Sequence, residues 1–346
     1  MAEPSDMKAV LRDVAEGKRL SIERARHAFE LMMAGEATPS QMGAFLMGLR
    51  VRGETVEEIT GGAMALRARA VKVSAPANAI DTCGTGGDAR GSFNISTAAA
   101  IVAAGAGVPV AKHGNRALSS RSGSADLLVA LGVNLDAEVP LIEESLRIAN
   151  IGFMMAPRHH GATHHVAPAR VELGVRTIFN LLGPLSNPAG ARRQLIGVFA
   201  PEWLEPMALV LRNLGAERVW VVHGSDGLDE LTTTGPSEVV ELKDGVVRRF
   251  EVTPEQVGLP RARLDDLLGA DGEGNAQALR AILDGAQGPL RDIVLLNAAA
   301  ALVIADRVPD LRSGLQLAAK AIDNGRARAS LEALIAVTNR PPPEEP

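Results

Sequence analysis

The sequence predicts an α/β protein in which a small all-helical domain precedes a larger domain built on a mostly parallel central sheet. Residues 1–72 place apolar residues at helical spacing and show no strand signal. From Asn78 onward, short apolar strands alternate with helical segments, which is the pattern of a parallel sheet covered by helices. We therefore assign residues 1–75 to the helical domain and 76–346 to the α/β domain, with a helical segment near 168–190 returning to the N-terminal domain.

The N-terminal helices are predicted from periodicity and from their start signals. Apolar residues recur at helical spacing in Met7 to Glu16 and again in Ile22 to Met33. Thr38-Pro39-Ser40-Gln41 has the form of a capping box with proline in the first turn. A second capping box, Thr55-Val56-Glu57-Glu58, opens a helix that is predicted to run through Arg69.

The α/β domain is predicted to contain five strands with helices between them, then a hairpin and a helical tail. The candidate strands are Ala79–Thr82, Val108–Ala111, Gly152–Met155, Leu195–Phe199 and Arg218–Val222. The candidate helices are Ser96–Ala106, Ala125–Leu131, Pro140–Asn150 and Pro201–Leu214. Val239–Val252 predicts a hairpin that turns at Asp244-Gly245, and Ala276 to Val337 predicts helices.

Composition restricts the class of protein and of partner. The 346 residues carry a formal net charge of −5, which argues against general nucleic-acid binding because such domains are usually strongly basic. The apolar runs Ala98–Ala111 and Ile293–Ala305 are too short to cross a bilayer. The single cysteine, Cys83, allows no internal disulfide, as expected in a reducing cytoplasm. We expect a cytoplasmic protein with no nucleic-acid or membrane partner.

The chain is organised around a glycine-rich loop between a predicted strand and a predicted helix. The segment from Asp81 to Thr97 carries Gly84, Gly86 and Gly87 before the hydroxyl and amide side chains that begin the helix. Glycine lets backbone N–H groups turn toward a ligand, and a helix N-terminus adds uncapped donors. The loop therefore favours a phosphate or pyrophosphate ligand. Cys83 has no evident base partner, so we interpret it as a small filler rather than a nucleophile.

Charge patterning also indicates an anionic ligand. No Asp or Glu occurs between Ala89 and Ala125. The cationic or titratable side chains of this stretch are Arg90, Lys112, His113, Arg116 and Arg121. The dinucleotide-binding pattern fails because no acid stands about 20 residues beyond the loop, and the Walker pattern fails because no Gly-Lys-Ser/Thr follows it. The alternative is an ordinary strand-to-helix turn beside a solvated basic face.

A second polar stretch, Lys112–Asp126, follows the predicted strand Val108–Ala111. In open α/β sheets, ligands bind beyond the carboxyl ends of the strands. Lys112 offers a point charge for phosphate. Neutral donors are Asn115, Ser119, Ser120, Ser122 and Ser124. The alternative is a polar loop that caps the helix beginning at Ala125.

A third stretch is rich in histidine and suggests either a metal or an anionic acceptor. The four histidines are His159, His160, His164 and His165. His160 and His164 have the spacing of a helical metal pair, but no nearby acid or cysteine completes a zinc site. Arg170 is able to hold a carboxylate bidentately. A surface ion pair near Glu172 is the alternative role for this arginine.

A fourth stretch places paired carboxylates after the strongest predicted strand. Asp229-Glu230 follows Val219–Val222, and Mg²⁺ takes oxygen ligands of this kind beside phosphates. The alternative is a turn with exposed acids. A fifth stretch, Arg176 to Ala189, has little ionisable chemistry and is interpreted as a hinge or a pocket wall.

Taken together, the motifs resemble those of the anthranilate phosphoribosyltransferase family. The resemblance covers roughly residues 10 to 340, and its motifs are Gly84-Thr85-Gly86-Gly87-Asp88, Asn94-Ile95-Ser96-Thr97, Lys112-His113-Gly114-Asn115-Arg116, Arg176 to Ala189, and Asp229-Glu230. It implies a nucleoside phosphorylase/phosphoribosyltransferase-like fold, a homodimer, and substrates that meet between the domains. The implied reaction transfers the phosphoribosyl group of phosphoribosyl pyrophosphate (PRPP) to the amine of anthranilate in tryptophan biosynthesis, with Mg²⁺ as cofactor.

The same resemblance implies the residues of the site. For PRPP they are Gly84, Thr85, Gly87, Asp88, Ser92, Asn94, Ile95, Ser96, Thr97, Lys112, His113, Gly114, Asn115, Arg116, Ala117, Leu118, Ser119, Ser120 and Ser124. For anthranilate they are Gly84, Asn115, His160, Arg170, Gly183 and Pro184, with Arg170 facing the carboxylate. For Mg²⁺ they are Ser96, Asp229 and Glu230. No residue is implied as a covalent nucleophile or general base, and positioning is assigned to Lys112, Asn115 and Arg170.

Some alternatives stay open at the level of sequence. The chain departs from the family pattern at Gly161, Thr163 and His164, so either His159 or His160 faces the acceptor. A pyrimidine-nucleoside phosphorylase has the same fold, but its phosphate loop is expected to begin with Lys-His-Ser. A second phosphoribosyltransferase fold has an acidic phosphate loop like the segment from Asp229 to Gly235, but the helical N-terminal domain and the separate glycine-rich loop argue against it. A nucleic-acid-binding relative is disfavoured by the acidic net charge.

Overall fold

The computed structural model describes residues 6–87, 90–117 and 121–341. Its helices are α1 (Met7–Ala15), α2 (Ile22–Met33), α3 (Pro39–Arg52), α4 (Val56–Arg69), α5 (Ile95–Gly105), α6 (Ser124–Leu131), α7 (Val139–Ile148), α8 (Ala156–His159), α9 (Ala167–Leu173), α10 (Phe179–Leu182), α11 (Leu204–Asn213), α12 (Gly272–Leu283), α13 (Pro289–Ile304), α14 (Leu311–Asp323) and α15 (Arg326–Thr338). Its strands are β1 (Ile80–Gly84), β2 (Val110–Gly114), β3 (Ile151–Met155), β4 (Arg193–Gly197), β5 (Arg218–Gly224), β6 (Ser237–Lys243) and β7 (Val246–Val252). Short 3-10 turns occupy 161–165, 201–203, 254–257 and 264–267.

The first four helices form a bundle, and both predicted capping boxes are confirmed. The Thr38 hydroxyl accepts from the Gln41 N–H at 3.3 Å, and the Gln41 side chain accepts from the Thr38 N–H at 2.9 Å. Thr55 and Glu58 make the same reciprocal pair. Such pairs satisfy helix N–H groups that have no partner within the helix, so the local sequence determines where α3 and α4 begin.

The seven strands form one mixed sheet in the order β3-β2-β1-β4-β5-β6-β7. Strands β1 to β5 are parallel, and β6 and β7 add an antiparallel hairpin. The predicted turn is confirmed, because Asp244 and Gly245 have φ values of 52° and 78°. Two positive φ values suit the two-residue turns that match strand twist. The fold class is therefore as predicted.

The helices cover both faces of the sheet. Helices α5 and α13 pack on one face and contact β1 and β4, while α11 packs on the other face against β5 and β6. The core of the second face is continuous with that of the helical bundle, because Phe29 and Met207 belong to one cluster of buried side chains. Helices α9 and α10 pack against α3 and α4 respectively. In the described part of the chain, no helix is long and apolar enough to cross a membrane.

The strand order places a crevice at the centre of the sheet. The chain after β1 leads outward to β2 and β3, whereas β4 lies on the other side of β1 and leads to β5. In doubly wound sheets, ligands bind beyond the carboxyl ends of the strands at such a reversal. The loops that follow β1, β2 and β5 all reach this edge, and they carry three of the sequence motifs.

Candidate active site

The carboxylates that follow β5 lie against the glycine-rich loop that follows β1. Asp229 Oδ2 accepts a hydrogen bond from the Gly86 N–H at 2.8 Å. Glu230 Oε1 accepts one from the Ser96 N–H, in the first turn of α5, at 3.1 Å. Gly86 and Asp229 are 143 residues apart in the chain. The fold thus unites the predicted phosphate loop and the predicted Mg²⁺ carboxylates in one site.

Two glycines allow this close approach. A Cβ on Gly84 would overlap the Asp229 carboxylate, and a Cβ on Gly197, at the end of β4, would overlap the Asp229 backbone carbonyl. The backbone of Asp229 therefore packs directly on the backbone of Gly197 where the chain crosses the end of β4 to reach β1. From sequence, Gly84 is expected to let a ligand approach, whereas in the structure it admits a side chain of the protein itself.

Asn94 connects the glycine-rich loop to two other segments. Its Oδ1 accepts from the Ser122 hydroxyl at 3.1 Å and from Asn275 Nδ2 at 2.8 Å. Its Nδ2 donates to the Ser122 carbonyl at 3.1 Å. Asn275 lies in α12 and is buried. Sequence reasoning missed Asn275, because a lone asparagine in a predicted helix carries no signal that it reaches a loop far away in the chain.

Lys112 occupies a different place from the one expected. It lies inside β2 rather than in the loop beyond, it is 2% exposed, and its Nζ donates to the Thr82 carbonyl. The nearby Asp81 accepts from the His113 N–H at 3.2 Å and from Asn187 Nδ2 at 2.7 Å. Burial raises the pKa of the Asp81 carboxyl. The predicted strand ends at Ala111, whereas β2 runs from Val110 to Gly114 because its pairing with β3 continues through Gly114.

Cys83 behaves as a packing residue. Its side chain is buried, and burial raises the pKa of the thiol well above its usual value. A neutral thiol is a poor nucleophile. The geometry therefore agrees with the small-filler interpretation.

The two described parts of the polar loop, residues 115–117 and 121–123, meet at Asp126 in the first turn of α6. Asp126 Oδ2 accepts from the N–H groups of Ala117 at 3.0 Å and Gly123 at 2.8 Å. Arg116 forms an ion pair with the same carboxylate at 3.3 Å. Part of this loop therefore does cap the following helix, as the alternative interpretation expected.

The other predicted PRPP residues lie in the segments that end or follow β1 and β2. They are Gly87, Ser92, Ile95, Thr97, Gly114, Asn115 and Ser124. Thr85 anchors its loop, because its hydroxyl accepts from the Phe199 N–H at 3.0 Å. Four predicted residues lie outside the described residues: Asp88, Leu118, Ser119 and Ser120.

The histidine cluster does not form one helix. Helix α8 ends at His159, and a 3-10 turn begins at Gly161, so His160 and His164 do not share a helical face. His159 Nδ1 lies 2.9 Å from the Val71 carbonyl, and His164 Nδ1 lies 2.7 Å from that of Gly161. The i, i+4 argument for a metal pair therefore does not apply to this segment.

His160 is the member of the cluster that faces β2. Its ring stacks edge-on against that of His113, with centroids 5.1 Å apart. Both rings are buried, and neither His160 nitrogen has a hydrogen-bond partner within the described ranges. Burial lowers the pKa of His113 to about 3 and that of His160 to about 4. Both imidazoles are therefore neutral near pH 7.

These two histidines predict a loss of stability in acid. An unfolded histidine titrates near pH 6.5, so below this pH the unfolded chain binds protons that the folded chain excludes. The contribution of these two histidines to the free energy of unfolding is therefore fully present above pH 6.5 and is lost progressively as the pH drops toward 4. Between pH 7 and pH 4.5, the midpoint temperature of thermal unfolding should fall less steeply in H160Q than in the unmodified protein. If the midpoint temperature falls with pH by the same amount in the two proteins, this account is wrong.

Arg170, in α9, faces an aromatic ring instead of an acid. Its guanidinium lies 5.0 Å from the centroid of Phe179, and burial lowers its pKa. Among the residues that the structure describes, no carboxylate forms an ion pair with it, so the surface ion pair near Glu172 is wrong. A cation held on a ring and partly desolvated is well suited to an incoming carboxylate.

The stretch predicted as a hinge or pocket wall is held from both sides. Gln194 Nε2 donates to the Pro184 carbonyl at 3.0 Å, and Arg67 Nε, from α4, donates to the Leu185 carbonyl at 2.6 Å. Asn187 Nδ2 also donates to the Ala111 carbonyl at 2.9 Å. The segment around Gly183 and Pro184 thus connects the helical bundle to the sheet edge.

Arg176 is a further residue that sequence reasoning missed. Its Nη2 donates to the Gly87 carbonyl, and its guanidinium lies 4.4 Å from the centroid of Phe199. It therefore places a positive charge beside the glycine-rich loop. The sequence does show that an arginine opens the otherwise apolar stretch 176–189, but it does not show that the arginine side chain points toward the glycine-rich loop, which depends on the fold.

A surface cavity of about 570 Å³ lies elsewhere, beside β5 and β7. Three of its four arginines form ion pairs within the protein, since Arg218 and Arg248 bind Glu241 and Arg249 binds Glu238, while Arg312 donates to the Gln256 carbonyl. Because most of this positive charge is neutralised by carboxylates of the protein, the cavity is less favoured than the sheet edge as a site for an anionic substrate.

The donors at the sheet edge fit Mg²⁺. This ion prefers oxygen ligands and is usually bound by one or two carboxylates together with substrate phosphates and water. Asp229 and Glu230 supply two carboxylates beside the phosphate loop. Within residues 6–87, 90–117 and 121–341, no group of three or more His, Cys, Asp or Glu side chains is placed to hold a metal. Two adjacent carboxylates are the kind of protein ligand that Mg²⁺ takes when a phosphorylated ligand and water supply its other oxygens.

Comparison with known proteins identifies the family. The chain matches the helical bundle domain of a glycosyl transferase family over residues 8–70 and the a/b domain of that family over 76–328. It is 62% identical over 337 residues to the anthranilate phosphoribosyltransferase of Rhodospirillum rubrum, covering 97% of each chain.

Solved structures agree with this match. The anthranilate phosphoribosyltransferase of Thermus thermophilus is similar with a TM-score of 0.90 and 46% identity, over 96% of this chain and 99% of that one. The Saccharomyces cerevisiae enzyme in complex with PRPP and Mg has a TM-score of 0.88 and 26% identity, over 96% and 97%. Together with the site geometry, these matches show that the chain belongs to the anthranilate phosphoribosyltransferase family, pentosyltransferases of tryptophan biosynthesis.

Proposed function

We propose that this protein transfers the phosphoribosyl group of PRPP to the amine of anthranilate, giving N-(5-phosphoribosyl)anthranilate and pyrophosphate. The observation that carries the proposal is the contact of Asp229 and Glu230 with the glycine-rich loop and the start of α5. This contact brings carboxylates for a metal beside the loop and the helix start that are proposed to bind phosphate, and the donor substrate requires both.

The donor is proposed to bind at the edge formed by β1, β2 and β5. The N–H groups of Gly86 and Ser96 are bonded to the two carboxylates, and other backbone N–H groups of the glycine-rich loop and the start of α5 are proposed to bind the pyrophosphate. Lys112 contributes a buried positive charge from β2, and Asn94 is held in orientation by Ser122 and Asn275. The Saccharomyces cerevisiae relative has been solved with PRPP and Mg, which supports PRPP as the donor.

Asp229 and Glu230, with Ser96, are the residues proposed to hold Mg²⁺. When bound, the ion neutralises charge on the pyrophosphate leaving group. The two carboxylates already accept hydrogen bonds from backbone N–H groups. These bonds orient them toward the donor before substrate arrives, and such preorganisation lowers the cost of assembling the site.

The acceptor is proposed to bind between Arg170, His160 and Asn115, with Gly183 and Pro184 as the wall. Arg170 faces the anthranilate carboxylate, and the neutral, unpartnered His160 ring offers a hydrogen-bonding group in a buried place. A Saccharomyces cerevisiae relative has been solved with 4-fluoroanthranilate, which supports an aromatic amino acid of this class as the acceptor.

The reaction needs positioning more than a strong base. The aromatic amine attacks the anomeric carbon, the bond to pyrophosphate breaks, and positive charge develops on the ribose ring before the amine loses a proton. Holding the two reactants in line supplies much of the rate enhancement in such steps. A site of backbone donors, a buried lysine and oriented carboxylates, with Cys83 kept as a neutral thiol, is consistent with that chemistry.

The first experiment follows anthranilate fluorescence after addition of PRPP. We expect loss of the signal with Mg²⁺, because the product no longer has a free anthranilate amine. With EDTA we expect no loss, because the metal is removed and the reaction does not proceed. Folded protein that leaves the signal unchanged in the presence of Mg²⁺ would contradict the proposed acceptor. Attention would then turn to Gly161, Thr163 and His164, where the chain departs from the family pattern.

Arg170→Ala tests the carboxylate contact. We expect the KM for anthranilate to rise by about 10- to 100-fold, since charge-assisted bonds are worth roughly 1.5–3 kcal/mol, while the KM for PRPP changes little. Arg176→Ala is the matched control, because its guanidinium contacts the glycine-rich loop and should affect PRPP instead. Equal changes in both KM values in R170A would rule out a specific role at the carboxylate.

A further inference from the structure

The segment that carries the two carboxylates has to travel across the sheet. We define the acidic loop as residues 225–236, between β5 and β6. Asp229 bonds to Gly86 just beyond β1, and Glu230 bonds to Ser96 at the start of α5. Both lie beyond β4, which separates β1 from β5 in the sheet. The loop crosses the end of β4 at Gly197, where the Asp229 carbonyl takes the place of a side chain. A loop that crosses a neighbouring strand needs an anchor from outside, since its own strand does not define where its tip lies.

Asn297, in α13, contacts the acidic loop immediately after the carboxylates. Its Oδ1 accepts from the Leu231 N–H at 3.1 Å, and its Nδ2 donates to the Leu231 carbonyl at 2.8 Å. The second hydrogen of Nδ2 goes to the Ile293 carbonyl, one turn earlier in α13, at 2.9 Å. Asn297 is fully buried. One side chain thus holds both backbone polar groups of the residue that follows Glu230.

The helix itself is a rigid support for this contact. α13 is almost entirely buried and packs against α5, whose first turn supplies the Ser96 N–H that binds Glu230. Asn297 therefore ties the acidic loop to the same helical layer that carries one wall of the phosphate site. The bond of its amide to Ile293 fixes the direction of the side chain.

The loop also has internal contacts, but they act on other residues. Asp226 accepts from the hydroxyls of Thr232 at 2.6 Å and Thr234 at 2.7 Å. These bonds close the loop on itself and do not tie it to a neighbouring helix. Glu230 itself bonds to the Ser96 N–H at the start of α5, and Leu231 is the residue at which α13 holds the loop backbone beside the two carboxylates.

We propose that Asn297 is a positioning residue that sets the place of Asp229 and Glu230, and through them the affinity of the site for Mg²⁺ with a phosphorylated ligand. The magnesium part of this proposal rests on the proposed function. The positioning part does not, because it concerns the protein alone. Residues that orient metal-binding carboxylates in this way usually change metal affinity or activity by about 10- to 100-fold when replaced.

The first test measures hydrogen exchange in the protein without ligand. N297L keeps the approximate volume and removes all three bonds, so the Leu231 amide should exchange at least about ten-fold faster, as expected when a buried bond is lost. L302A is the matched control, because Leu302 is a buried residue of the same helix in the cluster that includes α5 but not Leu231. Unchanged exchange in N297L, or an equal rise in L302A, would overturn the positioning role.

Should N297L not fold, N297S is the second variant. Its smaller side chain leaves room for water beside Leu231 and is less disruptive to the core. The same increase in Leu231 exchange is expected, and its absence in folded N297S would overturn the proposal.

The second test measures PRPP binding by calorimetry at a series of Mg²⁺ concentrations. In N297L, the Mg²⁺ concentration for half-maximal PRPP binding should rise by about 10- to 100-fold, while L302A should match the unmodified protein. The KM for anthranilate should change little in both. If the unmodified protein shows no Mg²⁺-dependent binding of PRPP, the proposed function and the magnesium part of this inference fail together, and the exchange result still decides the positioning part. An unaltered Mg²⁺ requirement in N297L with faster Leu231 exchange would overturn the link to the metal.

Discussion

Replacing both carboxylates, Asp229→Asn with Glu230→Gln, should lower kcat/KM by about 1,000-fold or more without unfolding the protein. A metal that neutralises the leaving group is worth several kcal/mol of transition-state stabilisation, and each 1.36 kcal/mol is a factor of ten in rate. The fold should survive because the amide oxygens still accept the bonds from Gly86 and Ser96. Steady-state kinetics at saturating Mg²⁺, with circular dichroism and thermal unfolding alongside, measure both expectations.

A matched control separates loss of the site from loss of charge. Glu143 and Glu144 are adjacent carboxylates in α7, where they bind the Ser74 N–H and Arg340. The double substitution E143Q/E144Q removes the same formal charge away from the sheet edge, and its activity should stay near that of the unmodified protein. Full activity in D229N/E230Q would remove the basis for assigning Mg²⁺ to these residues.

Gly197→Ala should lower activity by at least about 100-fold. The added Cβ would overlap the backbone carbonyl of Asp229, and backbone cannot move aside as the end of a flexible side chain can. The acidic loop would have to shift, and a displacement near 1 Å in a catalytic group costs about 100-fold. The loss should appear in kcat and in the KM for PRPP, and less in the KM for anthranilate.

Gly43→Ala is the control for this substitution. Gly43 lies within α3, and a Cβ there would meet nothing within 4 Å, so the change should raise helix stability slightly and leave activity unaltered. If G197A keeps normal kinetics, the acidic loop has more freedom than its contact with β4 indicates, and the account of how the carboxylates reach β1 would be wrong.

The elements that the sequence predicts well are those with local causes. The capping boxes at Thr38 and Thr55 depend on residues three positions apart, and the turn at Asp244-Gly245 depends on two residues that tolerate positive φ. The alternation of strands and helices after Asn78 likewise follows from periodicity within each segment. For that reason the fold class could be inferred from the chain alone, and the glycine-rich loop could be proposed as a phosphate site.

The histidine segment illustrates the limit of local reasoning. In sequence, His160 and His164 have helical spacing, yet α8 ends at His159 and the backbone changes to a 3-10 turn. Only packing against β2 brings His160 beside His113 and buries both rings, and this burial is what lowers their pKa values. Spacing along the chain carries no information about either event.

By itself, then, the sequence determined the kinds of element, predicted a phosphate-binding role for the glycine-rich loop and singled out the paired carboxylates, because each of these depends on neighbouring residues. The tertiary structure alone decided that Asp229 meets Gly86, that Lys112 lies within a strand, and that Arg170 faces a ring rather than an acid. It also decided that Asn297 holds the acidic loop. These contacts join residues far apart in the chain, and the packing of the sheet and its helices, not local preference, sets their geometry.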